Sequence, residues 1–403
     1  PLLLMSAIQA PPTAAPASTF SDGDAVVILD DLVRRAVNQG ASDIHIEPKR
    51  DRVQVRFRID GTLVEQSSIY LDVAPQVISR VKVLARMDIS ERRMPQDGQF
   101  ALNPGLSFPV NLRAATFPCT QGEKVVLRIL LGQNLISFDR LGFDAHIGER
   151  VRELVQRPQG FVVTCGPTGS GKTSTLYSFL QLLDTSKINV VTLEDPIEVE
   201  LTITQGQTHI KSGFTFAAGL RSILRQDPDV ILVGEIRDAE TAGIALQAAL
   251  TGHQVMSTLH TSDVVETIVR LVDLGIEPWI IANALSAVLA QRLVRIVCPK
   301  CIETAKLTHD LWDGDEVLLT TGTEIVKPKG CTHCHNTGYR GRTGIFQVLE
   351  IDDDIRELIK GKATSVEYRK LLDTRRIPSL RRIGFQKVMA GITTVEEVVR
   401  VTT

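Results

Sequence analysis

Aromatic residues are only 5% of the 403-residue chain, cysteines number six, and neither sign of charge prevails, with 45 Lys+Arg against 47 Asp+Glu. Each shortage excludes something. A formal net charge of −2 argues against a chain whose main work is neutralising nucleic-acid phosphates, which takes an excess of Lys and Arg. Few aromatics leave few platforms on which bases could stack. Six cysteines are too sparse for a disulfide-stapled secreted scaffold. No apolar run reaches the ~18–20 residues of a membrane-spanning helix. The longest, Trp279 to Ala290, is interrupted by Asn283 and Ser286. There is no glycine period and no internal repeat. What is plentiful is apolar content, 43% beside 23% charged, the balance of a packed protein. At roughly 100–200 residues per domain the length suggests two to four domains.

The chain opens on Pro1, and Leu2-Leu3-Leu4 has no basic stretch before it, so the opening reads as a linker remnant rather than a signal peptide. Residues 1–20, with Pro1, Pro11, Pro12 and Pro16 among Ala, Ser and Thr, are expected to be a flexible linker. A helix is then predicted with Ser21 or Asp22 as its cap, Val26, Leu29, Val33, Ala36 and Val37 inward, and Gly40 as its stop. Val53, Val55, Phe57 and Ile59 alternate with Arg52, Gln54, Arg56 and Arg58, a strand that turns at Asp60-Gly61 and sets Arg56 and Arg58 on one face. With a second strand at Lys124–Leu131, residues 21–138 read as a small α/β domain.

From 139 to 403 strands alternate with helices, the pattern of a parallel sheet covered on both faces. Strands are expected at Phe161–Thr164, Asn189–Leu193, Val230–Val233 and Gln254–Leu259. Helices are expected at Ser174–Leu183, Asp238–Leu250 and Val264–Leu274. Periodicity lapses past Gln291, around a cysteine-bearing module at 291–345. Residues 346–403 read as helical, with Thr394 and Glu397 forming a capping box.

Gly166-Pro167-Thr168-Gly169-Ser170-Gly171-Lys172-Thr173 meets every position of the phosphate-loop pattern. Glycines let backbone N–H groups turn inward toward phosphate oxygens. Lys172 is placed to reach the β/γ-phosphates of ATP and the Thr173 hydroxyl to ligate Mg²⁺, with Ser174 next in the helix. A strand feeds the loop and a helix leaves it, turning its positive end to the anion. A chance glycine-rich turn lacks that context.

Asp227-Pro228-Asp229-Val230-Ile231-Leu232-Val233-Gly234-Glu235 is an apolar strand ending in an acid, where such sheets put the group that handles the lytic water. Glu235 is therefore the candidate base; capping the next helix falls more naturally to Asp238. A strand between loop and acid ends in Glu194-Asp195-Pro196-Ile197-Glu198, with Glu194 a second water-orienting acid or a counter-charge for Arg221, Arg225 and Arg237. His253 and His260 bracket a further strand, and His260, at the carboxyl end, is a candidate γ-phosphate sensor. Cys298/Cys301 and Cys331/Cys334 are two Cys-x-x-Cys pairs separated by 29 residues, a ligand set suited to structural Zn²⁺. Two disulfides are the alternative, disfavoured in a reducing compartment. Cys119 and Cys165 stand alone, and His333 and His335 are spare ligands.

Gly166–Thr175, Leu193–Glu198, Asp227–Asp238 and Thr251–Thr261 together resemble the nucleotide-site motifs of the ATPases behind type II secretion and type IV pilus assembly. The resemblance extends to Ser42–Pro48, Arg56–Gly61, Pro95–Gly98 and Gly338–Gly344, and covers residues 22 to 403. It implies a small PAS-like α/β domain followed by a RecA-like P-loop ATPase domain carrying the zinc module and C-terminal helices. It implies a homo-hexamer that acts with inner-membrane platform proteins on pilins or pseudopilins, is cytoplasmic, and touches the membrane only peripherally. Nucleic acid is not among the expected partners; a DNA-pulling ring motor is the lesser alternative. The resemblance makes Arg56, with Arg58 beside it, the arginine that reaches the γ-phosphate, and places Arg221, Arg225 and Arg237 near the site or subunit boundary. Leu71 stands where some relatives carry a second such arginine. The four-cysteine module fits secretion and pilus-extension members; retraction motors typically lack it.

Overall fold

A computed structural model of the chain describes residues 18–20, 24–130, 135–314 and 316–403. They form two compact units, within residues 1–132 and within 133–403.

In the first unit β1 (Ser18–Phe20) precedes α1 (Ala25–Asn38), β2 (Ala41–Pro48), β3 (Val53–Ile59), β4 (Thr62–Ile69), α2 (Ala74–Leu84), β5 (Gln96–Leu102), β6 (Val110–Cys119) and β7 (Gly122–Leu130). The sheet runs β1-β4-β3-β2-β7-β6-β5. Its buried face, with Ile44, Ile46, Val55, Phe57 and Leu127, closes on Ile28, Leu32 and Val33 of α1 and Val77 and Val81 of α2. The alternation in β3 holds, and Asp60 (φ 48°) and Gly61 (φ 84°) supply the two left-handed residues of its tight turn.

The flexible linker expected at 1–20 lies outside the described residues as far as 17, but Ser18–Phe20 pair in parallel with Ser67–Ile69, because ladder bonds come from the backbone whatever the side chains. Ser21 and Asp22 are outside the described residues too; the cap of α1 is Asp24, which accepts from the Val26 N–H at 3.0 Å. Ile28, Leu29, Leu32, Val33 and Ala36 form the buried stripe, and Val26 turns outward. β4 and β5 escape periodicity because Glu65, Gln66, Gln96, Asp97 and Gln99 break the apolar alternation.

The second unit contains α3 (Ala145–Val155), β8 (Gly160–Cys165), α4 (Lys172–Leu180), β9 (Val190–Glu194), β10 (Thr204–Gln207), α5 (Phe216–Ile223), β11 (Val230–Val233), α6 (Ala239–Leu250), β12 (Gln254–Leu259), α7 (Val264–Asp273), α8 (Pro278–Ala284) and β13 (Leu285–Val297). The short strands β14 (Ile302–Lys306), β15 (Leu311–Asp313), β16 (Glu316–Leu319) and β17 (Glu324–Pro328) lead to β18 (Tyr339–Glu350). Helices α9 (Asp353–Lys360), α10 (Ser365–Thr374), α11 (Leu380–Met389) and α12 (Val395–Thr402) follow, so the helical part expected from 346 begins only at Asp353, Phe346–Glu350 still being paired in β18. The main sheet is ordered β10-β9-β11-β12-β8-β13-β18, parallel except for β18. Successive side chains face opposite layers: Phe161, Val163, Ile231 and Val233 meet Ala245, Leu246 and Ile268, while Val162, Leu232 and Met256 meet Val151, Leu154 and Phe179. Both faces are covered, so these strands read as continuous apolar runs.

Phe138, placed in the first domain by sequence, stacks on Phe143 at 5.3 Å within the second unit's core. α4 begins at Lys172 rather than Ser174, the glycine at 171 being its cap. In space the strand between loop and acid is β12, not β9. The lapse expected past Gln291 is instead β13, paired along its length with β18, so the cysteine module is inserted between two strands of the main sheet. Thr394 does accept from the Glu397 N–H, but the Glu397 carboxylate is drawn to Arg295 and Arg400 rather than back to the cap. Thr364 and Glu367 form the full capping box instead. Parallel strands bring the loop after β8, Glu194 ending β9, Glu235 after β11 and His260 after β12 to one edge of the sheet, the carboxyl edge where open α/β sheets bind ligands.

Candidate active site and metal centre

The loop joins β8 to α4 through Gly166 (φ 150°) and Gly171 (φ 89°). A Cβ at Gly166 would lie 2.5 Å from the Gln291 carbonyl oxygen, and one at Gly171 would lie 2.9 Å from Gln291 Nε2, so neither position admits a side chain. Pro167, Thr168 and Gly169 form an exposed crest, while Ser170 is buried and its Oγ has no hydrogen-bond partner among the described residues. Lys172 opens α4 and folds back over the loop, Nζ donating to the carbonyls of Gly166 at 2.7 Å and Pro167 at 3.1 Å. Burial lowers its pKa, opposed by negative charge including that of Glu235. Thr173 and Ser174 stand in the first turn of α4. An orphan hydroxyl, a captive cation, glycines that exclude side chains and a helix N-terminus fit a nucleotide's phosphates.

Glu235 receives Arg237 at 2.6 Å and lies 3.3 Å from His260 Nε2. Asp238 caps α6, accepting from the Thr241 N–H at 2.8 Å, which leaves Glu235 free of that task. Glu194 is buried, and its carboxylate accepts from the Tyr177 hydroxyl, from Thr192 Oγ1 at 2.6 Å and from Gln205 Nε2 at 3.1 Å. The arginines therefore do not balance Glu194: Arg221 pairs with Glu240, Arg225 donates to the Arg221 carbonyl, and Arg237 goes to Glu235. His253 precedes β12, 2.9 Å from the Ala248 carbonyl. In the first unit Arg56 pairs with Glu47 at 2.5 Å, Arg58 lies 3.5 Å from Asp43, and Leu71 is exposed.

Cys298, Cys301, Cys331 and Cys334 bring four sulfurs within 4.8 Å of one another. Cys298–Cys331, Cys301–Cys334 and Cys331–Cys334 are 3.9, 3.7 and 3.8 Å apart. A thiolate tetrahedron at a Zn–S distance of ~2.3 Å has edges of about 3.8 Å, so the donor set fits zinc. All four are free thiols, not disulfides. The N–H groups of Gly330, Cys331 and Gly338 point at Cys301 or Cys334 sulfur at 3.2–3.3 Å, the support thiolate ligands need.

Sequence reasoning passed over Gln291 and Tyr177. A polar residue amid the apolar run of β13 is the one signal that could have flagged Gln291; Tyr177 reads as ordinary helix core.

The sheet order, the loop and the carboxyl-edge acids define a P-loop α/β domain of the nucleotide-binding kind. A family model described as "Type II/IV secretion system protein" matches residues 20–400, and the chain belongs to that family. It is 46% identical over 384 residues to Type II secretion system protein E of Dickeya dadantii, covering 94% of this chain and 76% of that one. To the Type II secretion system ATPase E of Vibrio cholerae it is 46% identical over 392 residues, covering 95% and 76%. To the type IV pilus assembly ATPase PilB of Myxococcus xanthus it is 43% identical over 388 residues, covering 95% and 69%. Among solved structures, the Legionella pneumophila ATPase DotB superposes with TM-score 0.71 at 22% identity, covering 96% of this chain and 99% of that chain. The pilus retraction motor PilT with bound ADP gives TM-score 0.64 at 24% identity, covering 93% and 96%. These two likenesses bear out the expected α/β fold class.

Proposed function

We propose that the chain is an ATPase that hydrolyses ATP to power pseudopilin assembly in type II secretion. The observation that carries this is the shared carboxyl edge on which Lys172 and its loop stand with Glu235, in a chain 46% identical to a type II secretion ATPase. Loop N–H groups and Lys172 bind the phosphates, and Thr173 would hold Mg²⁺, which supplies charge neutralisation between phosphate oxygens. Glu235 takes the proton of the attacking water, steadied by Arg237, with His260 beside it. Glu194 assists from within the sheet, its carboxylate tying α4 to β9 through the Tyr177 hydroxyl. Arg56 is the first unit's cation for the γ-phosphate, with Arg58 beside it, and Arg221 and Arg225 serve the site's margin.

The four thiolates would hold Zn²⁺ in a closed structural site with no open position for chemistry. The working form is a homo-hexamer at the cytoplasmic face of the inner membrane, attached through platform proteins; among the described residues no helix is long and apolar enough to cross a membrane. The two units, within residues 1–132 and within 133–403, are proposed as its two functional domains, so the boundary lies before Phe138 rather than after it. Pilus extension by the same chemistry is the second reading, favoured by the 43% identity to a pilus assembly ATPase. Phosphate release from Mg-ATP, with and without Lys172→Ala and with DNA added in one arm, tests the proposal. Turnover lost in the variant and indifferent to DNA supports it; no turnover in the wild type, or turnover only with DNA, overturns it.

A further inference from the structure

We propose that Gln291 is a positioning residue of the nucleotide site, its side-chain amide holding the phosphate loop in the shape that accepts ATP. Gln291 sits on β13 and is 1% exposed. A buried amide must use both of its ends, because an unpaired donor or acceptor there is expensive to desolvate. Both ends are used on the loop and its helix: Nε2 donates to the Ser170 carbonyl at 2.8 Å, and Oε1 accepts from Thr175 Oγ1 at 2.9 Å. One side chain thus joins the last turn of the loop to the first turn of α4.

The consequence follows from peptide geometry. In a trans peptide the C=O and the next N–H point in opposite directions. With the Ser170 carbonyl fixed on Gln291, the Gly171 N–H is directed away from it. A loop of this kind binds anions only while its N–H groups converge and its carbonyls stay turned out. Without the amide, the Ser170–Gly171 peptide is free to rotate and present an oxygen to the phosphates. The close approach of the amide also bears on one glycine: Gln291 Nε2 lies 2.9 Å from where a Cβ at Gly171 would stand, whereas a Cβ at Gly166 would meet the backbone carbonyl of residue 291.

This inference rests on the reading of the loop as an ATP site, and its test separates the two. Full-length Gln291→Glu, Gln291→Met and Thr175→Val are compared with wild type and Lys172→Ala. Steady-state turnover, the Kd for a labelled ADP and nucleotide-free melting are measured for each. Gln291→Glu keeps size and the acceptor for Thr175 but loses the donor; Gln291→Met loses both groups without adding charge. Both are expected to raise KM and Kd about tenfold or more with kcat little changed, as uniform loss of ground-state and transition-state binding requires. Thr175→Val, which leaves the Ser170 contact intact and keeps the fold if the Gln291 variants do not, is expected to shift KM by less. KM and Kd within about twofold of wild type, even with a lowered melting point, would make Gln291 a mere core amide and overturn the proposal. So would a larger effect from Thr175→Val. A wild type that binds no nucleotide fails at the earlier step and takes both readings down.

Discussion

Arg56 donates to Glu47 across adjacent strands at 2.5 Å, and Lys124 reaches the same carboxylate at 2.7 Å. Burial alone would raise the Glu47 pKa, but hydrogen bonds from Lys124 and Arg56 bring it down to about 2. Arg56 is thus neither a loose surface charge nor permanently committed. If it leaves, Lys124 stays to neutralise Glu47, so a swing of this arginine does not strand a buried anion.

For Arg56→Ala, nucleotide affinity is expected to stay within a few-fold of wild type while turnover drops by about 10³ or more, the scale of a lost arginine finger. With Lys124 still paired to Glu47 at 2.7 Å, the melting temperature is expected to change little. Single-turnover kinetics on assembled protein is the measurement, and unchanged turnover sinks the finger role.

Glu235→Gln should bind Mg-ATP normally and hydrolyse it roughly 10²–10⁴-fold more slowly, the usual contribution of a general base. Arg237 and His260 both lose a charged partner, so a modest change in melting is expected alongside. Equal turnover in the variant would move the base elsewhere.

How much of this was legible in the chain divides by distance along it. The phosphate loop, the acid after β11 and the cysteine pairs are short local patterns whose chemistry demands fixed residue types. β13 is not legible, because the apolar run Trp279–Ala290 covers nearly all of α8 and the start of a strand, and no local period survives the change. Its partner β18 lies beyond the whole cysteine insertion, and only the ladder reveals the pairing. Glu194 was found by its place at a strand end, but its donors Tyr177 and Gln205 come from other elements.

Elemental analysis should find about one zinc per chain. Cys334→Ser is expected to lose it and to melt at lower temperature, since ligand binding adds to folding free energy. Four thiols that react freely in a metal-free, fully stable protein would end the zinc assignment.

Acid should expose the Arg295–Glu397–Arg400 group. Burial opposes ionisation of Glu397, yet hydrogen bonds from Arg400 and Arg295 hold its pKa at about 2, below the ordinary 4.5. A carboxyl depressed in this way stabilises the fold fully above pH ~4.5 and loses that stability as pH falls toward 2. The contribution is on the order of 3 kcal/mol. Glu397→Gln should melt lower at pH 7 and show a shallower acid limb; a parallel limb in calorimetry rejects the assignment. Glu47 titrates over the same range in the first unit, so part of the limb persists.

From Gln291 to Val297 the chain is the second half of β13, about 20 Å at ~3.3 Å per residue, and Cys298 follows it directly. Gln291 touches the phosphate loop, Arg292 donates to the Val401 carbonyl at 3.1 Å, Arg295 grips Glu397, and Cys298 joins the thiolate cluster. The sulfur clasp is therefore welded to the same beam as the nucleotide pocket. A chimera that exchanged the cysteine insertion between two such motors would also re-tension the loop that meets the fuel.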